Sequence, residues 1–131
     1  MTQPYVVNIK KAAKENDYFR KVLVTGAKSQ LVLMSLEPGE EIGTEVHEVD
    51  QVLYAVEGEG EVVIGDIEAE FEKGVIAFVP AGVQHNVLNT NDEPMKLFTI
   101  YAPPEHAAGT IHRTKADAEV AEGRVAEPAR A

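Results

Sequence analysis

The 131-residue chain has 44% apolar residues and no cysteine, so disulfides and thiolate metal sites are excluded and any metal must be held by histidine, carboxylate, amide or water. Its net charge of −10 argues against a nucleic-acid-binding protein, which needs clustered lysine and arginine to displace counterions from phosphates. No apolar run approaches the roughly 18 residues of a membrane span, and the N-terminus lacks the basic-then-apolar order of a signal peptide. We therefore expect one soluble, cytoplasmic domain that binds neither nucleic acid nor membrane.

The first predicted element is a short helix over residues 8–16, NIKKAAKEN, where Asn8 can cap the helix and two alanines favour it. From Tyr18 onward the chain consists of short segments rich in β-branched and aromatic residues, separated by Gly, Pro, Asn or Asp. These segments are YFRKVLV, SQLVLMSL, EVHEVDQVLYAV, GEVVIG, IEAEFE, VIAFVP, HNVLNT and MKLFTIYA. Their turn signals recur at the spacing of a sandwich or barrel, which predicts an all-β domain over residues 18–103 after an N-terminal segment, 1–17.

The C-terminal segment, residues 104–131, begins where PPEH ends regular structure. Thr114 with Asp117 gives a capping-box start to a short helix over TKADAEVAE, and we expect the remaining GRVAEPARA to be loosely held. Among the strands, LVLMSL and VIAFV are apolar on both faces, which predicts that a neighbouring subunit or a terminal segment covers the outer face. A homodimer is the expected assembly.

Polar side chains recur in the stretch EVHEVDQVLY, where Glu45, His47 and Gln51 share one face of a strand if alternation is regular. A buried face would normally carry Val, Ile or Leu there, because an unpaired buried polar group costs about 1 to 3 kcal/mol. These groups therefore need a metal ion, water or one another as partners. A second histidine, His85, follows a sharp Pro-Ala-Gly turn that places it on a strand.

The sequence resembles the cupin superfamily in two motifs, G-x5-H-x-H-x3-4-E-x6-G and G-x5-P-x-G-x2-H-x3-N. The matching positions are Gly39, Glu45, His47, Gln51 and Gly58 in the first motif and Gly74, Pro80, Gly82, His85 and Asn89 in the second. The second motif matches in full, whereas Glu45 and Gln51 stand where the first motif has a histidine and a glutamate. The resemblance spans residues 39–89, extends through the strand pattern to roughly 18–103, and implies a cupin double-stranded β-helix, a jelly-roll barrel.

Carried over position by position, the resemblance implies one divalent transition metal bound by Glu45, His47, Gln51 and His85. Mn, Fe, Ni, Co and Zn all accept imidazole and carboxylate, and two histidines with one carboxylate is also the ligand composition of non-haem Fe(II) oxygenases. Gln51 either binds directly or hydrogen-bonds a metal-bound water. A metal-free polar cluster is the alternative interpretation, and Asp50 is a rival carboxylate that regular alternation points away from His47.

Cupins include isomerases, dioxygenases, decarboxylases, lyases, epimerases and non-enzymatic binding proteins, so the site must decide the function. With Glu45 as the one ionised ligand, a bound divalent ion would leave a site charge of about +1, which favours anionic oxygen donors. The leading hypothesis is Lewis-acid isomerase or lyase chemistry on a small sugar or a hydroxy or keto acid. The alternatives are a metal-dependent dioxygenase and a non-catalytic metabolite-binding module.

Two catalytic residues are predicted, Glu45 and His106, either of which would move the substrate proton. His106 follows the last strand and would overhang the barrel mouth with a pKa near neutrality, unless it lies in solvent. His112 is expected in solvent. The motif glycines and Pro80 are expected to form turns, and Asn89 to make structural hydrogen bonds.

Overall fold

The computed structural model describes residues 2–123, which form two antiparallel sheets with one short helix near each end. The elements are α1 (Ile9–Glu15), β1 (Arg20–Thr25), β2 (Gln30–Leu36), β3 (Asp50–Glu57), β4 (Glu59–Ile64), β5 (Ile67–Glu72), β6 (Ile76–Val79), β7 (His85–Asn89), β8 (Met95–Ala102), β9 (Ile111–His112) and α2 (Lys115–Ala121). Within this part of the chain, neither helix is long and apolar enough to cross a membrane. Most of the GRVAEPARA segment, residues 124–131, lies outside the described residues.

The strands form a six-stranded sheet in the order β6-β3-β8-β2-β1-β9 and a three-stranded sheet in the order β5-β4-β7. Strands distant in sequence pair with each other, as β3 does with β8 and β4 with β7. Such pairing wraps the chain around a shared interior, which confirms the predicted all-β jelly-roll fold. Both predicted helices are also present, and Asn8 and Thr114 cap them by accepting hydrogen bonds from the backbone N–H groups of Lys11 and Asp117.

The main core lies between the two sheets because alternation along each strand turns one apolar set inward. Leu53 and Ala55 of β3, Met95 and Leu97 of β8, and Phe71 of β5 belong to this core and are completely buried. Burying a side chain of the size of Leu, Met or Phe contributes about 1.5 to 3 kcal/mol, so this core is the main source of stability.

The outer face of the six-stranded sheet is covered in one part and open in another. Ala13 of α1 packs on Leu33 and Val56, so the N-terminal segment covers the second apolar face of LVLMSL. This confirms the prediction that a terminal segment or a subunit covers that strand. The outer face of VIAFV differs, since Ile76 and Phe78 are 64% and 57% exposed.

Candidate metal centre

The two motif segments are joined by backbone hydrogen bonds at one end of the barrel. Glu45 and His85 exchange two N–H to carbonyl bonds of 2.9 Å each. The carbonyl of His47 accepts a 2.7 Å bond from the N–H of Gly82, whose φ of +84° lets the turn before β7 fold sharply. The positions of the two histidines are therefore fixed relative to each other by the main chain.

The segment that carries Glu45 and His47 is less regular than predicted. Strand β3 begins only at Asp50, and Glu45 is attached by an isolated bridge. The burial nevertheless alternates as in a strand, with residues 45, 47, 49 and 51 buried and residues 46, 48 and 50 exposed. Glu45, His47 and Gln51 consequently point inward, as the period of two predicts.

The acidic and imidazole groups lie close enough to share an ion. Glu45, His47 and His85 each offer one ligand atom, and these atoms all lie within 4.8 Å of one another. The side chains are almost fully buried, and His47 Nε2 lies 3.7 Å from Glu45 Oε1. Ligand atoms about 2.0 to 2.2 Å from one ion lie within about 4.4 Å of each other, so small side-chain shifts complete such a site.

The Nδ1 atom of each histidine has a neighbour that orients the ring, so Nε2 is the nitrogen that faces the site. His85 Nδ1 lies 2.9 Å from the Val83 carbonyl and therefore carries the proton. His47 Nδ1 lies 3.3 Å from Glu105 Oε2, the carboxylate–histidine arrangement typical of metal ligands. The Nε2 atoms of both rings are buried and have no hydrogen-bond partner among residues 2–123.

Gln51 adds a neutral oxygen on the same inner face. Its Nε2 donates a 3.0 Å hydrogen bond to Thr99 Oγ1, which orients the amide. Its Oε1 is buried, and nothing in the described chain donates to it. An amide oxygen left in this way suits a hard cation or a water bound to one.

The two histidines differ in charge when no ion is bound. Burial alone would lower the pKa of His47, but its interaction with Glu45 and the charge of Glu105 outweigh burial and raise the pKa above 6.5. Burial lowers the pKa of His85, and the bond to the Val83 carbonyl offsets only part of this effect. A cation that binds Nε2 of His47 therefore displaces a proton.

A cavity of about 550 Å³ opens beside this cluster. Glu45 and His47 line it together with Glu105 and His106 from the loop after β8. The ring of His106 packs edge-on against Tyr101, with 5.1 Å between centroids, and its Nε2 is buried with no hydrogen-bond partner in residues 2–123. Burial, followed by the charge of Arg20, lowers the pKa of His106 to about 3 rather than leaving it near neutrality as expected.

The other polar residues considered from the sequence do not belong to the metal cluster. Asp50 is exposed and accepts a 3.0 Å hydrogen bond from the Ala81 N–H, so it supports the turn before β7. Asn89 donates to the carbonyls of Leu36, Glu37 and Glu93, which confirms its structural role. The expectation that His112 lies in solvent is wrong, because its half-buried ring contacts Arg20.

Sequence reasoning missed Arg20 and Glu105. Arg20 on β1 is only 1% exposed, and its side chain bonds Glu122 and His112 beside the cavity. A signal was present, since Arg20 is in phase with buried Val22 and therefore faces inward. Glu105 carries no comparable signal because it lies in a loop.

A comparison with protein families identifies the family of this chain. A family described as "Cupin domain" matches residues 32–101, a span that contains Glu45, His47, Gln51 and His85. The chain belongs to the cupin family. Among curated proteins, this cupin is 49% identical to YrkC of Bacillus subtilis (strain 168) over 92% of this chain and 68% of that protein. It is 38% identical to L612 of Acanthamoeba polyphaga mimivirus over 83% of this chain and 71% of that protein.

Solved structures support the same assignment. The cupin is similar to BH2720 of Bacillus halodurans, with a TM-score of 0.88, 44% identity, and coverage of 90% of this chain and 95% of that one. TT1209 of Thermus thermophilus gives a TM-score of 0.66 at 36% identity, covering 75% of this chain and 96% of that one. The likeness to BH2720 includes nearly the whole of both chains, so it extends beyond the motifs to the surrounding strands.

Proposed function

We propose that this cupin binds one divalent transition-metal ion, Mn, Fe, Ni, Co or Zn, and acts on a small oxygen-rich metabolite. The proposal rests on three buried atoms without a hydrogen-bond partner within residues 2–123: Nε2 of His85 and Oε1 of Gln51, which accept, and Nε2 of His47, which accepts once its proton is displaced. Each such atom costs about 1 to 3 kcal/mol when left unpaired. One cation beside the Glu45 carboxylate would remove this cost at all three atoms.

The chemistry that fits best is Lewis-acid isomerisation or lyase chemistry on a sugar or on a hydroxy or keto acid. A bound divalent ion would supply polarisation of a substrate carbonyl or hydroxyl oxygen. Glu45 lines the cavity and is the proposed group that moves the substrate proton. His106, with its pKa lowered to about 3, is neutral at physiological pH and serves as a hydrogen-bonding group for the substrate.

A metal-dependent dioxygenase is the second candidate, and one observation favours it. The cluster of Glu45, His47 and His85 has two histidines and one carboxylate, the ligand composition that holds Fe(II) with open positions in non-haem oxygenases. If Gln51 bonds a water instead of the ion, three protein ligands remain. The two candidates then differ in whether dioxygen is consumed.

Metal analysis of untagged protein is the first test. We expect about one transition-metal ion per chain, retained after dialysis or restored by adding Mn, Fe, Co, Ni or Zn in turn. A protein that resists reconstitution with all five would contradict the metal centre and favour a non-catalytic metabolite-binding module.

The second test separates the two reactions. The metal-loaded protein is incubated in D₂O with sugars, hydroxy acids and keto acids, and exchange of the hydrogen next to the carbonyl or hydroxyl carbon is followed by NMR. In parallel, protein loaded anaerobically with Fe(II) is mixed with keto acids, diketones and catechols in an oxygen electrode. Exchange without oxygen uptake supports the isomerase or lyase, whereas uptake without exchange supports the dioxygenase.

The expected homodimer is also a proposal, supported by the exposed outer face of β6. Ile76 and Phe78 are large apolar side chains on this face, and a second copy of the chain would cover them. Light scattering should give twice the mass of one chain, and Phe78→Asp should shift it toward the monomer.

A further inference from the structure

A buried arginine lies behind the cavity, outside the cupin motifs. Arg20 comes from the inner face of β1 and is 1% exposed, and its Nε is buried without an acceptor in the described part of the chain. Burying a guanidinium is costly unless its donors are used, so an unpaired Nε–H in this position indicates an incomplete partner set. The arginine is therefore more than a packing residue.

The helix α2 supplies the acid that holds this arginine. Glu122, the C-cap residue of α2, accepts a 2.7 Å hydrogen bond from Arg20 Nη1, and His112 Nδ1 lies 3.1 Å from the same nitrogen. Both Glu122 and His112 line the cavity, so they separate Arg20 from it. Ala118 of the helix is buried in the main core.

The charges around the cavity are arranged for an exchangeable anion. Three carboxylates, those of Glu45, Glu105 and Glu122, line it. A substrate carboxylate that displaced Glu122 into solvent would take over its negative charge beside Arg20, whereas a neutral sugar could not replace that charge.

We infer that Arg20 is the anion-binding residue of this site. Glu122 binds Arg20 in the substrate-free protein, and the carboxylate of a small substrate displaces Glu122 from it. A planar carboxylate matches the guanidinium fork and can satisfy two of its donors at once. The inference rests on the proposed function and narrows it, because it selects hydroxy or keto acids over neutral sugars as substrates.

The test compares pyruvate with pyruvamide, its neutral amide, by isothermal titration into protein with and without Zn²⁺. Arg20→Gln should lose the preference for pyruvate by about tenfold or more, since a charge-assisted bidentate pair is lost. Glu122→Gln keeps the size of the side chain but removes the charge that holds it on Arg20. This variant should bind pyruvate several-fold more tightly than wild type and pyruvamide with the same affinity as wild type. Glu119→Gln removes the same charge from the same helix and should behave as wild type.

Two further measurements keep the outcomes distinct. Arg20→Lys keeps the charge without the fork and should bind pyruvate with intermediate affinity, which covers the case in which Arg20→Gln fails to fold. The Zn²⁺ affinity of every folded variant should stay close to that of wild type, because neither Arg20 nor Glu122 is a proposed ligand.

If Glu122→Gln binds pyruvate no better than pyruvamide, or no better than wild type does, the inference is overturned. If no variant binds Zn²⁺ but the preference for pyruvate still depends on Arg20 in the metal-free protein, the metal-dependent function fails while the anion site stands.

Discussion

The two halves of the barrel interior are built by the same strands with different chemistry. In β8, Met95 and Leu97 fill one half, and Thr99 continues the same inward face into the half that holds the candidate metal centre. In β3, Leu53 lies in the apolar half and Gln51 in the polar half. Alternation decides only which side chains face inward, so the choice between packing and ligand binding is made residue by residue. The apolar half stabilises the fold, and the polar half leaves buried atoms unpaired for a ligand.

The largest expected effect is the loss of metal affinity when a histidine of the polar half is replaced. His47→Ala and His85→Ala should each lower metal affinity by more than the about 10 to 100-fold typical of outer-shell substitutions. The fold should persist, because the main core and the backbone bonds between Glu45 and His85 do not depend on either ring. Competition with a chelator measures the affinity, and circular dichroism checks the fold. Full metal occupancy in either variant would contradict the site.

The matching substitution in the apolar half is Leu97→Ala. Leu97 is completely buried in the main core, so its truncation should lower the free energy of unfolding by about 2 to 5 kcal/mol. Metal affinity of the folded protein should stay at the wild-type level. Denaturant unfolding and the same chelator competition check both points. If Leu97→Ala lost the metal as the histidine variants do, the division of the interior into two halves would be wrong.

A smaller effect is expected from the residue that orients a ligand. Glu105→Gln removes the charge 3.3 Å from His47 Nδ1 and should lower metal affinity by about tenfold, the lower end of outer-shell effects. Glu48→Gln is the control, because Glu48 is the exposed neighbour of His47 in the chain. Equal affinities for the two variants would show that Glu105 does not support the ligand.

The fold was predictable from local patterns, and the centre of the site from the resemblance to the cupin motifs. Short alternating segments separated by turn residues predicted the sheets, and residues 45 to 51 kept their alternating burial although β3 begins only at Asp50. The resemblance to the cupin motifs predicted that His47 and His85 lie together, and the turn through Gly82 and the proline before it predicted that His85 begins a strand. The inward position of the Gln51 side chain also follows from its place in this alternation.

The surroundings of the site were not predictable because they depend on distant parts of the chain. Arg20 is 102 residues from Glu122, and the pair forms only when β1 and α2 meet at the cavity. A charged residue in a strand is usually solvated, and this expectation outweighs the strand phase that places Arg20 on the inner face. Glu105 and His106 are placed by the loop after β8, where Gln30 holds their backbone N–H groups. No periodicity predicts such a loop.

The smallest effect concerns His106, which borders the polar half, and it is measured in metal-free protein. Its pKa of about 3 in the folded state lies below the ordinary value of 6.5, so the unfolded chain binds more protons between these values. The stability that this group contributes is complete above about pH 6.5 and is lost as the pH falls toward 3. His106→Gln should therefore lose less stability than wild type between pH 6.5 and 4.5, by at most about 1.4 kcal/mol per pH unit.

The comparison of the two proteins isolates this residue, because the raised pKa of His47 acts in the opposite direction in both. The loop should keep its place in the variant, since Gln30 Nε2 donates to the backbone carbonyl of His106 at 2.7 Å and not to its ring. Denaturant unfolding at pH 6.5, 5.5 and 4.5 gives the two slopes. Equal slopes would mean that His106 titrates as an ordinary solvent-exposed histidine and does not belong to the buried polar half.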